Sequence, residues 1–133
     1  MKRSGGALLF LGLLLVAPGL ALVRVTPSSS LPLLLGAAAV IWTLTAFFYW
    51  TDKHAAQSGA WRTPEILLHT CELLGGWPAA FLAQRIWRHK NAKLSYQVAF
   101  WLIVASHQVL AADVLLDARM SRGLWSELRH LLG

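Results

Sequence analysis

The chain has 133 residues, of which 56% are hydrophobic and 14% charged, with a net charge of +6 and a mean hydropathy of +0.53. Soluble domains carry about 25% charged residues, so this composition excludes an ordinary water-solvated globule and points to a bilayer. The single cysteine, Cys71, excludes an intramolecular disulfide and a multi-cysteine metal knuckle.

In chain order, Ala7–Val23 and Leu31–Trp50 run without a charge, and so does Leu94–Ala112, which nevertheless holds Gln97, His107 and Gln108. About 20 apolar residues cross a hydrocarbon core of about 30 Å. The expected fold is therefore all-α, an integral membrane helical bundle with hydrophobic helices over residues 6–24, 31–51, 65–87 and 94–116. Met1-Lys2-Arg3 before the first run is similar to the start of a signal peptide, but the run is long for one and is read as an uncleaved anchor helix. The short connector Arg24–Ser30 makes the first two helices a hairpin, and Pro32 fits the first turn of the second. Tyr49, Trp50, Trp87, Tyr96 and Trp101 are expected in interfacial belts. Thr63-Pro64-Glu65 reads as a helix start, with Thr63 as N-cap and Pro64 at the first helical position. The third segment is kinked or re-entrant at Gly75-Gly76-Trp77-Pro78. Residues 117–133 form a short amphipathic helix, with Leu124, Trp125, Leu128, Leu131 and Leu132 on its apolar stripe, and such a helix lies on a membrane surface. The whole, 1–133, is one membrane domain: an N-terminal hairpin over 1–46, a central region over 47–107 and the terminal helix.

The twelve Lys and Arg residues stand at the ends of the apolar segments. That placement fits topology signals and headgroup contacts, so the expected partners are the bilayer and anionic lipid, not nucleic acid. With four full spans, Lys2, Arg3, Lys53, Arg62, Arg119, Arg122 and Arg129 share one face and Arg24, Arg85, Arg88, Lys90 and Lys93 the other. If the third segment re-enters, the split becomes eight to four, because Arg85, Arg88, Lys90 and Lys93 join the first face while Arg119, Arg122 and Arg129 leave it. A re-entrant turn must bury irregular backbone in protein, which is hard in so small a chain. A kinked full span is thus the favoured expectation.

Polar chemistry concentrates around the third segment. Glu65, His69 and Glu72 share one helix face at i, i+4 and i+7. His69 and Glu72, with His107 on the fourth helix, are intramembrane ionisable groups, which mark function by default. They match no metal signature, and no metal or cofactor is expected. Asp52, Lys53, Arg62 and Glu65 bracket one end of the segment, and Arg88, His89, Lys90 and Lys93 the other. The basic cluster suits a phosphate; in a re-entrant arrangement Arg88 and Lys90 would instead pair with Asp52 and Glu65. Gly75-Gly76 reads as a packing notch.

Asp52-Lys53-x-x-Ala56, Trp61-Arg62-x-Pro64-Glu65, Leu68-His69, Gly75-Gly76-Trp77-Pro78, Ala83-Gln84, Arg88-His89-Lys90, Lys93, Ser95-Tyr96-Gln97 and Phe100-Trp101 form an ordered string. This string resembles the bacterial membrane family catalogued as domain of unknown function 1294, over residues 47–107. The resemblance implies a small multi-pass protein of the bacterial inner (plasma) membrane. Some members carry an N-terminal cold-shock domain; here two apolar segments stand in that place. The usual Arg-His-Lys-Thr reads Arg88-His89-Lys90-Asn91, and Ala79 follows the Gly-Gly-Trp-Pro motif. The resemblance implies no reaction.

No Ser-His-Asp set, phosphate loop or dinucleotide fingerprint is present. The leading expectation is a non-enzymatic accessory, partner-binding or lipid-binding protein, its surface built from Asp52, Lys53, Arg62, Glu65, Arg88, His89, Lys90 and Lys93. The alternative is a membrane enzyme or carrier using intramembrane His69 and Glu72 for metal or proton chemistry, a reading that expects them to converge with His107 in a polar cavity. Burying His69 and Glu72 in so small a bundle leaves room for a protein partner or a homo-oligomer.

Overall fold

The structure, a computed structural model, describes residues 2–88 and 93–132, with side chains from residue 5 onward. It comprises α1 (Lys2–Val25), α2 (Leu31–Ser58), α3 (Glu65–Cys71), α4 (Trp77–Ile86), α5 (Leu94–Leu115) and α6 (Arg119–Leu132), with a π-type turn, Glu72–Gly76, joining α3 to α4. No strand occurs among the described residues. Four stretches are long and apolar enough to cross a membrane: Gly5–Val25, Ser28–Ser58, Glu65–Ile86 and Leu94–Leu115. Leucines such as Leu13, Leu33 and Leu102 stand exposed on them, as lipid-facing side chains do. The chain is a helical membrane protein with a short C-terminal helix.

Two compact units divide the chain, one of residues 1–28 with 106–133 and one of residues 29–105. α1 and α2 therefore fall in different units, and α5 contributes to both. In the first unit α1 and α5 run parallel. The Gln108 side-chain amide donates to the Leu14 carbonyl at 2.8 Å, and Arg24, ten residues further along α1, donates to the carbonyl of Leu115 at 2.7 Å.

The second unit is built on α2. The Tyr49 hydroxyl donates to Glu72 Oε1 at 2.6 Å and accepts from Gln84 Nε2 at 3.0 Å. Glu72 and Gln84 are twelve residues apart, which a straight helix would separate by about 18 Å. Both reach one hydroxyl because α3 and α4 fold back on each other. Lys93, beyond α4, bonds both oxygens of Glu65, at the start of α3, at 2.8 Å. α3–α4 is thus a helical hairpin whose two ends meet. The ten residues of α4 rise about 15 Å, half the depth of a hydrocarbon core. This fold-back is the geometry of the re-entrant alternative rather than of the favoured kinked span.

The sequence makes the reversal at Gly75, whose φ of 106° is open to glycine and strained for any side chain. α2 covers the turn. Trp42 Nε1 donates to the Gly75 carbonyl at 3.0 Å, and a Cβ on Gly76 would stand 2.1 Å from Thr45 Oγ1 and 2.6 Å from the Cys71 carbonyl. The chain itself thereby satisfies the irregular backbone that membrane depth penalises. Gly76 is the expected notch, and α2 is what fits it.

Local boundaries differ from expectation in two places. α2 continues to Ser58, because nothing between Trp50 and Ser58 breaks a helix, and stops at Gly59 in the left-handed region at φ 69°. Pro64, not Thr63, caps α3; its carbonyl accepts from the amides of Leu67 and Leu68, and the Thr63 hydroxyl lies 3.5 Å from that of Thr51.

Candidate functional site

α2, α3, α4 and α5 each send polar side chains to one buried cluster. Glu72, fully buried in the turn after α3, is its centre. The Tyr49 and Tyr96 hydroxyls donate to its Oε1 at 2.6 and 2.8 Å, and His69 Nδ1 lies 2.6 Å from its Oε2. The two hydroxyls are 2.5 Å apart. Behind them the Gln97 amide donates to Gln84 Oε1 at 2.7 Å, and Gln84 in turn donates to Tyr49. The donors therefore all point along the chain of bonds towards one acceptor-only carboxylate. The His69 ring stacks on Tyr96 at 4.2 Å between centroids, with its side chain 18% exposed.

The cluster follows from membrane physics. A carboxylate in hydrocarbon is tolerated only when paired and hydrogen-bonded, and Glu72 meets that demand within one chain. Sequence reasoning picked out His69 and Glu72 but placed Tyr49 and Tyr96 in interfacial belts. Both tyrosines are instead buried, at 0% and 1% exposure. Gln84 and Gln97 were quoted in the motif string without a role. The available signal was their polarity inside otherwise apolar stretches.

His107 does not join this cluster. It lies eleven residues beyond Tyr96 on α5, about 16 Å of helix, in the other unit. Three side chains already occupy the Glu72 oxygens. Among the described residues no group of three or more His, Cys, Asp or Glu side chains is placed to hold a metal.

The hairpin brings the two charge brackets to one end of the unit. Lys93 pairs with Glu65, and Arg62 Nε approaches the buried Asp52 Oδ1 at 3.6 Å. Lys53 is half-buried and Arg88 exposed. Arg88, expected to pair across the brackets, sits at a positive φ of 47° just past α4, and Lys93 makes the cross-bracket pair instead. His89 and Lys90 lie outside the described residues. Beside the brackets an open groove is lined by Phe47, Phe48, Thr51, Trp61, Arg62, Thr63, Pro64 and Leu67. Its lining is mostly apolar and includes one guanidinium, that of Arg62.

No curated protein and no solved structure matches the chain. The family match ends at Tyr96, so Gln97, Phe100 and Trp101 fall beyond it, short of the expected 107. Residues 43–96, which carry Tyr49, Asp52, Glu65, His69, Glu72 and Gln84, match the model of the family described as protein of unknown function (DUF1294).

Proposed function

We propose that this is a non-enzymatic membrane protein that binds an anionic amphiphile at the charged end of the α3–α4 hairpin. The observation that carries the reading is the convergence of both charge brackets beside a mostly apolar groove whose lining includes Trp61 and Arg62. A lipid suits such a groove chemically, its acyl chain lying along Phe47, Phe48 and Leu67 and its phosphate against Arg62, which can bond two oxygens at once. With Asp52 and Glu65 answered by Arg62 and Lys93, the cations Lys53 and Arg88 give the face a positive excess. Glu72 and its donors are read as the rigid support of that face.

The test is lipid retention by the full chain in mild detergent, followed by native mass spectrometry with phosphatidylglycerol, phosphatidylcholine or inorganic phosphate added. Phosphatidylglycerol should be retained, and Arg62→Gln with Arg88→Gln should weaken its retention about tenfold while sparing phosphatidylcholine. Displacement by inorganic phosphate would assign the site to the free anion. Equal retention of both lipids by both proteins would sink the proposal.

A further inference from the structure

Away from that face, the C-terminal helix α6 has chemistry that the hairpin does not use. Leu124, Trp125, Leu128, Leu131 and Leu132 fall within an arc of roughly 120° on the helix, and all of them are exposed, Trp125 at 68% and Leu132 at 87%. Arg119, Arg122 and Arg129 occupy the other side and one flank, against a single acid, Glu127. An apolar stripe of this kind, bare along a whole helix, needs a cover.

The joint before α6 limits what that cover is. α5 ends in a Schellman arrangement: the Ala118 amide bonds the Asp113 carbonyl at 2.7 Å, the Asp117 amide bonds that of Val114 at 3.3 Å, and Asp117 takes a positive φ of 57°. The Asp113 side chain then caps α6 itself, accepting from the amides of Met120 and Ser121 at 3.0 and 3.1 Å. An acid at a helix N-terminus also offsets the dipole. Arg24 at the end of α1 pairs with Asp117 and bonds the Leu115 carbonyl. Arg122 donates to the carbonyls of Asp117 and Ala118. The 22 residues of α5 rise about 33 Å, enough to cross the hydrocarbon and end at its boundary. α6 leaves a clamped joint at that level, four residues later.

We infer that α6 is a docking element for an anionic bilayer surface, with Leu124, Trp125, Leu128, Leu131 and Leu132 in the acyl boundary and Arg119 and Arg129 on lipid phosphates. Continuity with a membrane-crossing helix supplies the bilayer. The three-to-one excess of Arg over Glu supplies the preference for negative charge.

The full chain with Cys71→Ala, reconstituted into vesicles, carries a nitroxide at Leu128→Cys or Ser126→Cys. Collision with oxygen and with a water-soluble nickel complex then reads depth. In phosphatidylcholine containing phosphatidylglycerol, position 128 should favour oxygen and position 126 nickel. Arg119→Gln and Arg129→Gln should each lower the seated-to-free ratio about fivefold there and leave it unchanged in phosphatidylcholine alone. Three results overturn the inference: position 128 open to nickel in both membranes, seating indifferent to phosphatidylglycerol, or protection at 128 that depends on protein density and so reports a second copy of the chain.

Discussion

At the scale of single residues, Glu72 organises the second unit. It sits where hydrocarbon makes an unpaired carboxylate intolerable, and donors from α2, α3 and α5 reach it. Tyr49→Phe removes one of those donors and also the acceptor for Gln84. Interhelical hydrogen bonds in membranes are worth about 1 kcal/mol, so the loss should be about that size in reversible unfolding from detergent. Glu72→Ala removes the carboxylate that both tyrosine hydroxyls and His69 share, leaving the hydroxyls only each other as acceptor, and should cost about 3 kcal/mol or more. A Glu72→Ala protein as stable as the parent would mean that the cluster does not hold the helices together. His69 and Glu72 were legible in the sequence because ionisable residues in apolar runs stand out. Tyr49 and Tyr96 were not, because a tyrosine near a helix end reads equally well as an interfacial anchor.

At the scale of elements, the hairpin depends on two adjacent glycines with different tasks. Gly75 supplies a backbone angle, at φ 106°, and Gly76 supplies room against Thr45. Gly76→Ala must push α2 away or distort the turn, and overpacking of this kind costs about 1–3 kcal/mol. Thr45→Ala should rescue it only in part, since the Cys71 carbonyl also lies in the path at 2.6 Å. The measurement is the unfolding midpoint of the single and double variants; full rescue would show that backbone crowding does not contribute. The sequence marked this position as a break and a notch, with a reversal as the less favoured alternative. Hydropathy runs unbroken through Glu65–Ile86, and periodicity within one segment says nothing about whether its two ends meet. That Glu72 and Gln84 bond one hydroxyl is a tertiary fact carried by α2. The α3 cap was missed for a related reason: the Thr63 hydroxyl faces Thr51 on α2, so packing prevailed over local capping preference.

At the scale of the whole molecule, the fold-back of the third of four apolar stretches predicts three crossings. The parallel run of α1 and α5 in the first unit agrees, since α5 would run antiparallel to α1 after a fourth crossing. Counted along the sequence, a re-entrant third segment assigns Lys53, Arg62, Arg85, Arg88, Lys90 and Lys93 to the face of Lys2 and Arg3, and Arg24, Arg119, Arg122 and Arg129 to the other. That eight-to-four split is the stronger positive-inside signal. It was present in the charge count from the start, outweighed by the difficulty of burying a re-entrant turn in a small chain. Trp42 and Thr45 on α2 resolve that difficulty.

The most direct measurement is the labelling of single cysteines by a membrane-impermeant maleimide, in sealed vesicles of known orientation, with Cys71→Ala as background. Gln57→Cys, at the end of α2, and Glu127→Cys, on the polar side of α6, report the two sides. A folded-back α3–α4 hairpin predicts that they label from opposite faces. Labelling of both from the same face would mean that Glu65–Ile86 crosses the membrane, and would contradict the hairpin on which the site is built.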